Sequence, residues 1–310
     1  MSRPDQLQFA LLLQALLVAC AQPATSRPPG SSSPIAVTDV KDEAPLPTTA
    51  KDGTPYAWKG VAMLGGGFVT GIIFGPVKAG LVYARTDVGG AYRMNPDDGS
   101  WIALTDEFGR ADSNYQGIES IAPDPIDANK VYLAVGTYTQ AWAGPGAILR
   151  SNDQGKTFQV TTMSIKMGGN EDGRSNGERL GVDPNLPSVL LFGSRRDGLW
   201  KSSDSGATFS KVASFPLAED DKGLGIPLVL FDKKSGAAGK PTPVIYAGVS
   251  KTDASLFQSR DAGLTWKALG GQPTKVMPSH AALDSSGMLY VSYGNKPGPS
   301  DVTEGSVWKY

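Results

Sequence analysis

The chain has 310 residues, a formal net charge of −1 and 40% hydrophobic residues. Its basic residues form no stripe, so the composition argues against a nucleic-acid partner and is compatible with an uncharged ligand. The only histidine is His280 and the only cysteine is Cys20, so a zinc cluster of His and Cys ligands is excluded. No cofactor or metal is therefore predicted, and any hydrolysis must use carboxylate or hydroxyl groups.

Residues 1–20 are predicted to be an export signal. Residues 9–19 form an apolar run of eleven, which suits a signal-peptide core and is too short for a permanent membrane span. The run ends in Leu-Val-Ala-Cys20, which resembles a bacterial lipobox whose cysteine is acylated after cleavage. We therefore expect a lipid anchor at Cys20 and a lipoprotein of the outer membrane or cell surface. The alternative is an ordinary secretory signal, with a periplasmic or secreted product.

Residues 21–54 are rich in Pro, Ser and Thr and contain too few apolar residues to pack a core. This segment is predicted to be a disordered linker. The folded domain is expected to occupy residues 55–310.

A short apolar strand recurs five times in this domain, at residues 81–84, 131–135, 189–192, 244–247 and 288–291. Each copy is rich in β-branched and aromatic residues and is bounded by turn formers, as strands are. Further strands precede and follow several copies, for example residues 147–150 and 198–201. About four strands in roughly 50 residues is one propeller blade. The prediction is an all-β protein, a β-propeller of about five antiparallel four-stranded blades.

Three copies of the phrase Ser-x-Asp-x-Gly-x-Thr-aromatic close successive units, at residues 151–158, 202–209 and 259–266. Their aspartates lie 51 and then 57 residues apart, and a degenerate fourth copy occupies residues 97–101. The Asp side chain can accept hydrogen bonds from the following backbone, and Gly permits positive φ, so each Asp box predicts a turn between two strands. Because three copies of one catalytic residue would be redundant, we interpret the boxes as scaffold.

The candidate catalytic residue is Asp87, which directly follows a predicted strand. Gly89 and Gly90 come next and would let a bulky ligand approach the backbone. Taken alone, this pattern is a weak signal and is more often an ordinary turn.

The wider sequence resembles glycoside hydrolase family 74, which contains xyloglucan-cleaving endoglucanases and oligoxyloglucan cellobiohydrolases. The resemblance covers residues 56–310, in order. Its motifs are GGGFVTGI (65–72), YARTDVGGAYR (83–93), VGTYTQAW (135–142), GAILRS (146–151), GGNEDGRSNGERLGVDP (168–184), GLWKS (198–202), LYVSYGN (289–295) and GSVWKY (305–310).

This resemblance implies two tandem seven-bladed propellers that form a cleft across a β-1,4-glucan such as xyloglucan. It also implies an inverting mechanism with one aspartate from each propeller, in which Asp87 matches the general base. Such carboxyl groups stand about 6.5–9.5 Å apart, leaving space for a water molecule. Five units and no second propeller are visible in the sequence. We therefore expect an N-terminal fragment with little activity of its own; completion of the ring by another chain is the alternative.

Candidate sugar contacts are Tyr115, Tyr138 and Trp142, which fall near glycine-rich stretches, although core packing is open for each. Arg174, Gly89 and Gly90 complete the predicted substrate site. We interpret the pair Glu178-Arg179 as a buried ion pair or loop brace and His280 as a hydrogen-bonded structural residue. The fallback acids Glu119 and Asp106 look like solvated turn residues.

Two other functions are compatible with repeated Asp boxes. A sialidase also uses Asp-box propellers, but it needs an arginine triad and a Tyr-Glu pair, and the sequence shows no such cluster. A non-catalytic propeller, acting as a carbohydrate-binding or assembly platform, is the stronger alternative to hydrolysis.

Overall fold

The computed structural model describes residues 47–49, 53, 55–57, 63–217, 219–220 and 223–310. The predicted signal segment 1–20, with Cys20, and most of the linker lie outside the described residues. The chain divides into two compact units, residues 1–63 and 64–310. In the part of the chain that the structure describes, no helix has the length and apolar character needed to cross a membrane.

The first unit contains a short antiparallel pair, β1 (Pro47–Thr49) with β2 (Pro55–Ala57). Part of the predicted linker, residues 47–49, is thus a short strand. Two β-branched threonines favour an extended backbone there, and Pro47 is tolerated as the first residue of a strand. The second unit begins at Leu64 rather than at residue 55.

The second unit contains five sheets in which all paired strands are antiparallel. The strands are β3 (Val69–Phe74), β4 (Val82–Thr86), β5 (Ala91–Met94), β6 (Trp101–Ala103), β7 (Ile118–Pro123), β8 (Val131–Val135), β9 (Ala147–Ser151), β10 (Gln159–Thr162), β11 (Leu180–Val182), β12 (Leu190–Gly193), β13 (Leu199–Ser202), β14 (Ser210–Lys211), β15 (Leu228–Phe231), β16 (Ile245–Gly248), β17 (Leu256–Ser259), β18 (Lys267–Ala268), β19 (Met277–Leu283), β20 (Leu289–Gly294) and β21 (Gly305–Lys309). Two short 3₁₀ helices span Arg110–Gln116 and Lys233–Ser235.

Four sheets contain four consecutive strands each, and the fifth contains β19, β20 and β21. The first strands of successive sheets contact one another, from β3 and β7 through β11 and β15 to β19. The propeller prediction is confirmed, with a correction: the fifth sheet has three strands among the described residues instead of four.

A hydrophobic core fills the space between each pair of neighbouring sheets. Strand β8 shows why these strands are apolar at every position. Its residues Val131, Leu133 and Val135 face the first sheet, whereas Tyr132 and Ala134 face the third. Side chains alternate across a strand, so a strand covered on both faces is apolar throughout.

The three Asp boxes adopt one structure, in which each joins the last two strands of its sheet. In the first box, Asp153 accepts hydrogen bonds from the Thr157 backbone N at 2.9 Å and from its hydroxyl at 2.6 Å. The corresponding bonds recur in the other two boxes. The box glycines have φ between 78° and 86°, and each box aromatic packs against a core. The scaffold interpretation therefore fits the observed hydrogen bonds.

Candidate active site

Asp87 lies immediately after β4, at a turn held by its neighbours. The Thr86 hydroxyl donates to the Gly90 carbonyl and accepts from the Gly89 N, both at 2.8 Å. The backbone N of Asp87 donates to the Phe68 carbonyl at 3.1 Å. The turn therefore fixes the carboxylate at the end of a buried strand.

The two carboxylate oxygens of Asp87 have different surroundings. Oδ1 accepts a hydrogen bond of 2.7 Å from the Phe68 backbone N. Oδ2 lies 3.5 Å from Arg174 Nε, whose guanidinium also stands over the Phe68 ring, 5.7 Å from its centroid. The Asp87 side chain keeps 10% of its surface accessible. The site is thus a carboxylate that is fixed on one side, faces a cation on the other and is not fully enclosed.

Three of the glycines around Asp87 have no space for a side chain. A Cβ on Gly89 would lie 1.8 Å from the Gly66 carbonyl oxygen, and one on Gly67 would lie 2.9 Å from Asp87 Oδ1. Gly90 has φ of 83°, and a Cβ there would meet the Thr105 hydroxyl at 2.1 Å. Gly67, Gly89 and Gly90 therefore allow the backbone of the turn to pack closely. Residues 65–67 are exposed beside the carboxylate.

Arg85, two residues before Asp87, is completely buried and was not predicted from the sequence. Its guanidinium donates to Glu178 Oε1 at 2.9 Å and to the Thr70 hydroxyl at 2.8 Å. It also donates to the carbonyls of Arg174, at 2.6 Å, and Asn176, at 2.8 Å. One side chain on β4 therefore holds the segment 174–178 that precedes β11.

Glu178 connects this segment to the second sheet. Its Oε2 accepts hydrogen bonds from the Ser120 hydroxyl at 2.6 Å and from the Ile121 N at 2.8 Å. The expectation that Glu178 and Arg179 take part in ion pairs is correct, but their partners are Arg85 and Glu119 respectively.

Glu119 is not a solvated turn residue, and that expectation is wrong. It lies on β7, is 3% exposed, and pairs with Arg179 Nε at 2.7 Å and Arg195 Nε at 2.9 Å. Burial raises the pKa of Glu119, but Arg195 and Arg179 outweigh it and leave the pKa below its usual value. Burial, followed by the neighbouring Arg195, lowers the pKa of Arg179 to about 9. Glu119 is therefore held as a carboxylate, which makes it unsuitable as a proton donor.

The predicted aromatic residues separate into two groups. Tyr138 and Trp142 form a pair with ring centroids 5.1 Å apart, and Trp142 is 73% exposed. Asn170 donates a hydrogen bond of 2.7 Å to the Tyr138 hydroxyl, which fixes that ring. Tyr115 instead packs edge-on against Phe108 at 5.5 Å, beside the first core. This position fits core packing, the alternative role that the sequence left open for Tyr115.

The loop of the aromatic pair and the turn of Asp87 meet through Gly117. A Cβ on Gly117 would lie 3.1 Å from the Asp87 carbonyl oxygen and 2.6 Å from Thr137 Cα. The Gly117 carbonyl also accepts a hydrogen bond of 2.8 Å from the Gly136 N. The structure therefore brings Asp87, Arg174 and the 136–146 loop to one end of the sheets.

The remaining candidates have structural contacts. His280 Nδ1 donates to the Gly177 carbonyl at 2.8 Å, as expected for a structural histidine. Asp106 is exposed in a turn. Among the described residues, no group of three His, Cys, Asp or Glu side chains could hold a metal ion.

No protein-family model matches the sequence. Individual proteins nevertheless match most of this chain. The chain is 51% identical to a xyloglucanase from a Paenibacillus species over 278 residues, which is 86% of this chain and 27% of that protein. It matches the solved family 74 xyloglucanase of Xanthomonas campestris with a TM-score of 0.77 and 50% identity, over 83% of this chain and 38% of that one. The chain belongs to glycoside hydrolase family 74.

A second solved family 74 structure, from Niastella koreensis, matches with a TM-score of 0.74 and 42% identity, over 80% of this chain and 36% of that one. The family resemblance predicted from the motifs is therefore confirmed. This family 74 chain spans about a third of the length of the relatives it matches.

Proposed function

We propose that this chain contributes the general base to hydrolysis of a β-1,4-glucan, with xyloglucan as the substrate. The observation that carries the proposal is the Asp87 carboxylate at a strand end, fixed through Oδ1 and accessible beside exposed glycines. The Paenibacillus and Xanthomonas relatives are xyloglucanases, which supports the choice of substrate.

In the proposed reaction, Asp87 accepts a proton from a water molecule as the water oxygen attacks the anomeric carbon. The bond to the leaving oxygen breaks, and a separate carboxylic acid donates a proton to that oxygen. The configuration at the anomeric carbon inverts. We assign the acid to no residue of this chain, since Glu119 is held between two arginines. The second propeller that the family resemblance implies is its proposed source.

A substrate that needs no proton donor can test the base by itself. Fluoride leaves without protonation, so a β-glycosyl fluoride of a xyloglucan oligosaccharide depends on the base but not on the acid. We expect the 310-residue chain to hydrolyse this fluoride and to leave natural xyloglucan almost uncleaved. Asp87→Asn should lower the fluoride rate by about 100-fold or more. Asp153→Asn, in an Asp box, is the matched control and should leave the rate unchanged.

A non-catalytic glycan-binding platform is the second candidate, because Trp142 is 73% exposed beside Tyr138. Aromatic faces of this kind suit the apolar face of a sugar ring. If calorimetry detects oligosaccharide binding that depends on Trp142, while the fluoride remains intact in wild type, the binding platform replaces hydrolysis as the function.

We also propose export, with a lipid anchor at Cys20, from the apolar run that precedes this cysteine. Expression in a bacterial host with labelled fatty acid tests it. Label should enter the wild-type protein and be absent from Cys20→Ser; label in both variants, or in neither, would contradict the anchor.

A further inference from the structure

We propose that Arg85 and Glu178 are positioning residues for Asp87, and that they act through Arg174. This inference rests on the proposed role of Asp87 as general base. It assigns a role to the ion pair between the fully buried Arg85 and the part-exposed Glu178, whose side chains are 0% and 23% exposed.

The first step is geometric. Arg85 lies on β4, and Asp87 comes one residue after the end of that strand. Arg85 binds the backbone carbonyl of Arg174 at 2.6 Å, and the Arg174 side chain reaches Asp87 Oδ2. Arg85 therefore holds the main chain of Arg174, and the side chain of Arg174 faces the Asp87 carboxylate.

The second step concerns why a charge is buried here. A buried ion pair is weak evidence for stability, because apolar residues of similar volume are often as good. The planar fork of an arginine can, however, bind several acceptors at fixed angles. Arg85 uses it to hold the Arg174 and Asn176 carbonyls while Glu178 balances the charge. Arg85 and Glu178 thus hold segment 174–178 in place, and we call this pair of residues the clamp.

The third step is that several sheets fix this segment. Glu178 binds Ser120 and Ile121 of the second sheet. From the fifth sheet, the Ser279 hydroxyl donates to Asn176 at 2.7 Å, and the Ser279 carbonyl accepts from the Gly177 N at 3.0 Å. Displacement of Arg174 therefore requires contacts with more than one blade to change.

The clamp affects Asp87 because it sets the distance between the Arg174 side chain and the carboxylate. Arg174 Nε is 3.5 Å from Oδ2 and makes no hydrogen bond. At that distance the guanidinium faces Oδ2 but leaves an Oδ2 lone pair free to receive the proton of water. A closer arginine would donate a hydrogen bond to Oδ2 and occupy this lone pair.

The test uses Glu178→Gln in the full chain, with Ser120→Ala as a milder variant if the first one fails to fold. The ¹⁵N NMR signal of Arg174 Nε, assigned by its loss in Arg174→Gln, reports the position of that side chain. We expect the signal to shift in both variants. The kcat on the β-glycosyl fluoride should fall about 10- to 100-fold with KM unchanged, as misplacement of a reacting group predicts.

A double variant separates positioning from general destabilisation. If the clamp acts through Arg174, adding Glu178→Gln to Arg174→Gln should lower kcat no further. Asp183→Asn is the matched control: this buried aspartate binds Asn185 and Thr242 instead, so its loss should lower the melting temperature and leave kcat unchanged.

An unmoved Arg174 signal in Glu178→Gln and Ser120→Ala, or multiplied effects in the double variant, would overturn the positioning role. The NMR readout needs no turnover. If wild type fails to hydrolyse the fluoride, the proposed function fails, and the Arg174 signal still decides whether the clamp exists.

Discussion

Replacing Glu119 with Gln should destabilise the propeller far more than removal of any surface charge. Glu119 is the counter-ion for Arg179 and Arg195, and the side chains in both pairs are 1% exposed. It also accepts a hydrogen bond of 2.5 Å from the Gly168 N. Glutamine has nearly the same shape, so the substitution changes mainly the charge.

The expected loss of stability follows from the two arginines, Arg179 and Arg195, that remain buried in the variant. Two guanidinium groups would lose their carboxylate, and breaking a buried pair in this way costs about 3–5 kcal/mol. For a domain of this size, 1 kcal/mol corresponds to about 2–4 °C in melting temperature. The expected fall is therefore roughly 6–20 °C.

Thermal and urea unfolding of the full chain measure this loss. The matched control is Asp127→Asn, which breaks a surface pair with Lys130 at 3.8 Å whose side chains are 39% and 42% exposed. Surface pairs contribute about 1 kcal/mol or less. If Glu119→Gln and Asp127→Asn unfold at the same temperature, the reasoning about the buried charges is refuted.

Three further outcomes are expected. Hydrogen bonds, chiefly from the box threonines, lower the pKa of each box aspartate to about 2, below the unfolded value of about 3.9. The stability they add is complete above that unfolded value and is lost as pH falls towards 2, so melting curves from pH 6 to pH 2 should show less acid sensitivity when the three are changed to Asn. Trp142→Ala should leave the melting temperature unchanged and weaken oligosaccharide binding by about 2- to 12-fold in calorimetry, the equivalent of one aromatic contact; equal affinity would remove Trp142 from the binding surface. Gly89→Ala should lower both the melting temperature and the fluoride rate, because its Cβ would lie 1.8 Å from a carbonyl oxygen, whereas Gly66→Ala, with nothing within 4 Å, should alter neither; similar effects of the two would contradict the packing argument.

The blades were predictable because their signals are local. The run 131–135 is apolar at each position, and it forms β8 with the same bounds. Each Asp box contains its own hydrogen-bond donors, acceptor and glycine, so its turn can be deduced from eight residues. A carboxylate between a strand and two glycines is by itself more often part of a turn, so Asp87 was singled out only by the resemblance of its motif to family 74.

The contacts around the candidate site were not predictable, because their partners lie far apart in sequence. Arg85 and Glu178 are 93 residues apart, and Glu119 and Arg195 are 76 apart. From sequence, Glu119 looks like a charge near a turn, since nothing local indicates that two arginines will enclose it. The role of Tyr115 likewise depends on Phe108, which packs against its ring only in the folded chain.

The most direct test of the central claim is the configuration of the first sugar released from the β-glycosyl fluoride, followed by proton NMR before the anomers equilibrate. If the Asp87 carboxylate deprotonates the attacking water, wild type releases the α-anomer and Asp87→Asn releases almost none. Release of the β-anomer, or an undiminished rate in Asp87→Asn, would contradict the account.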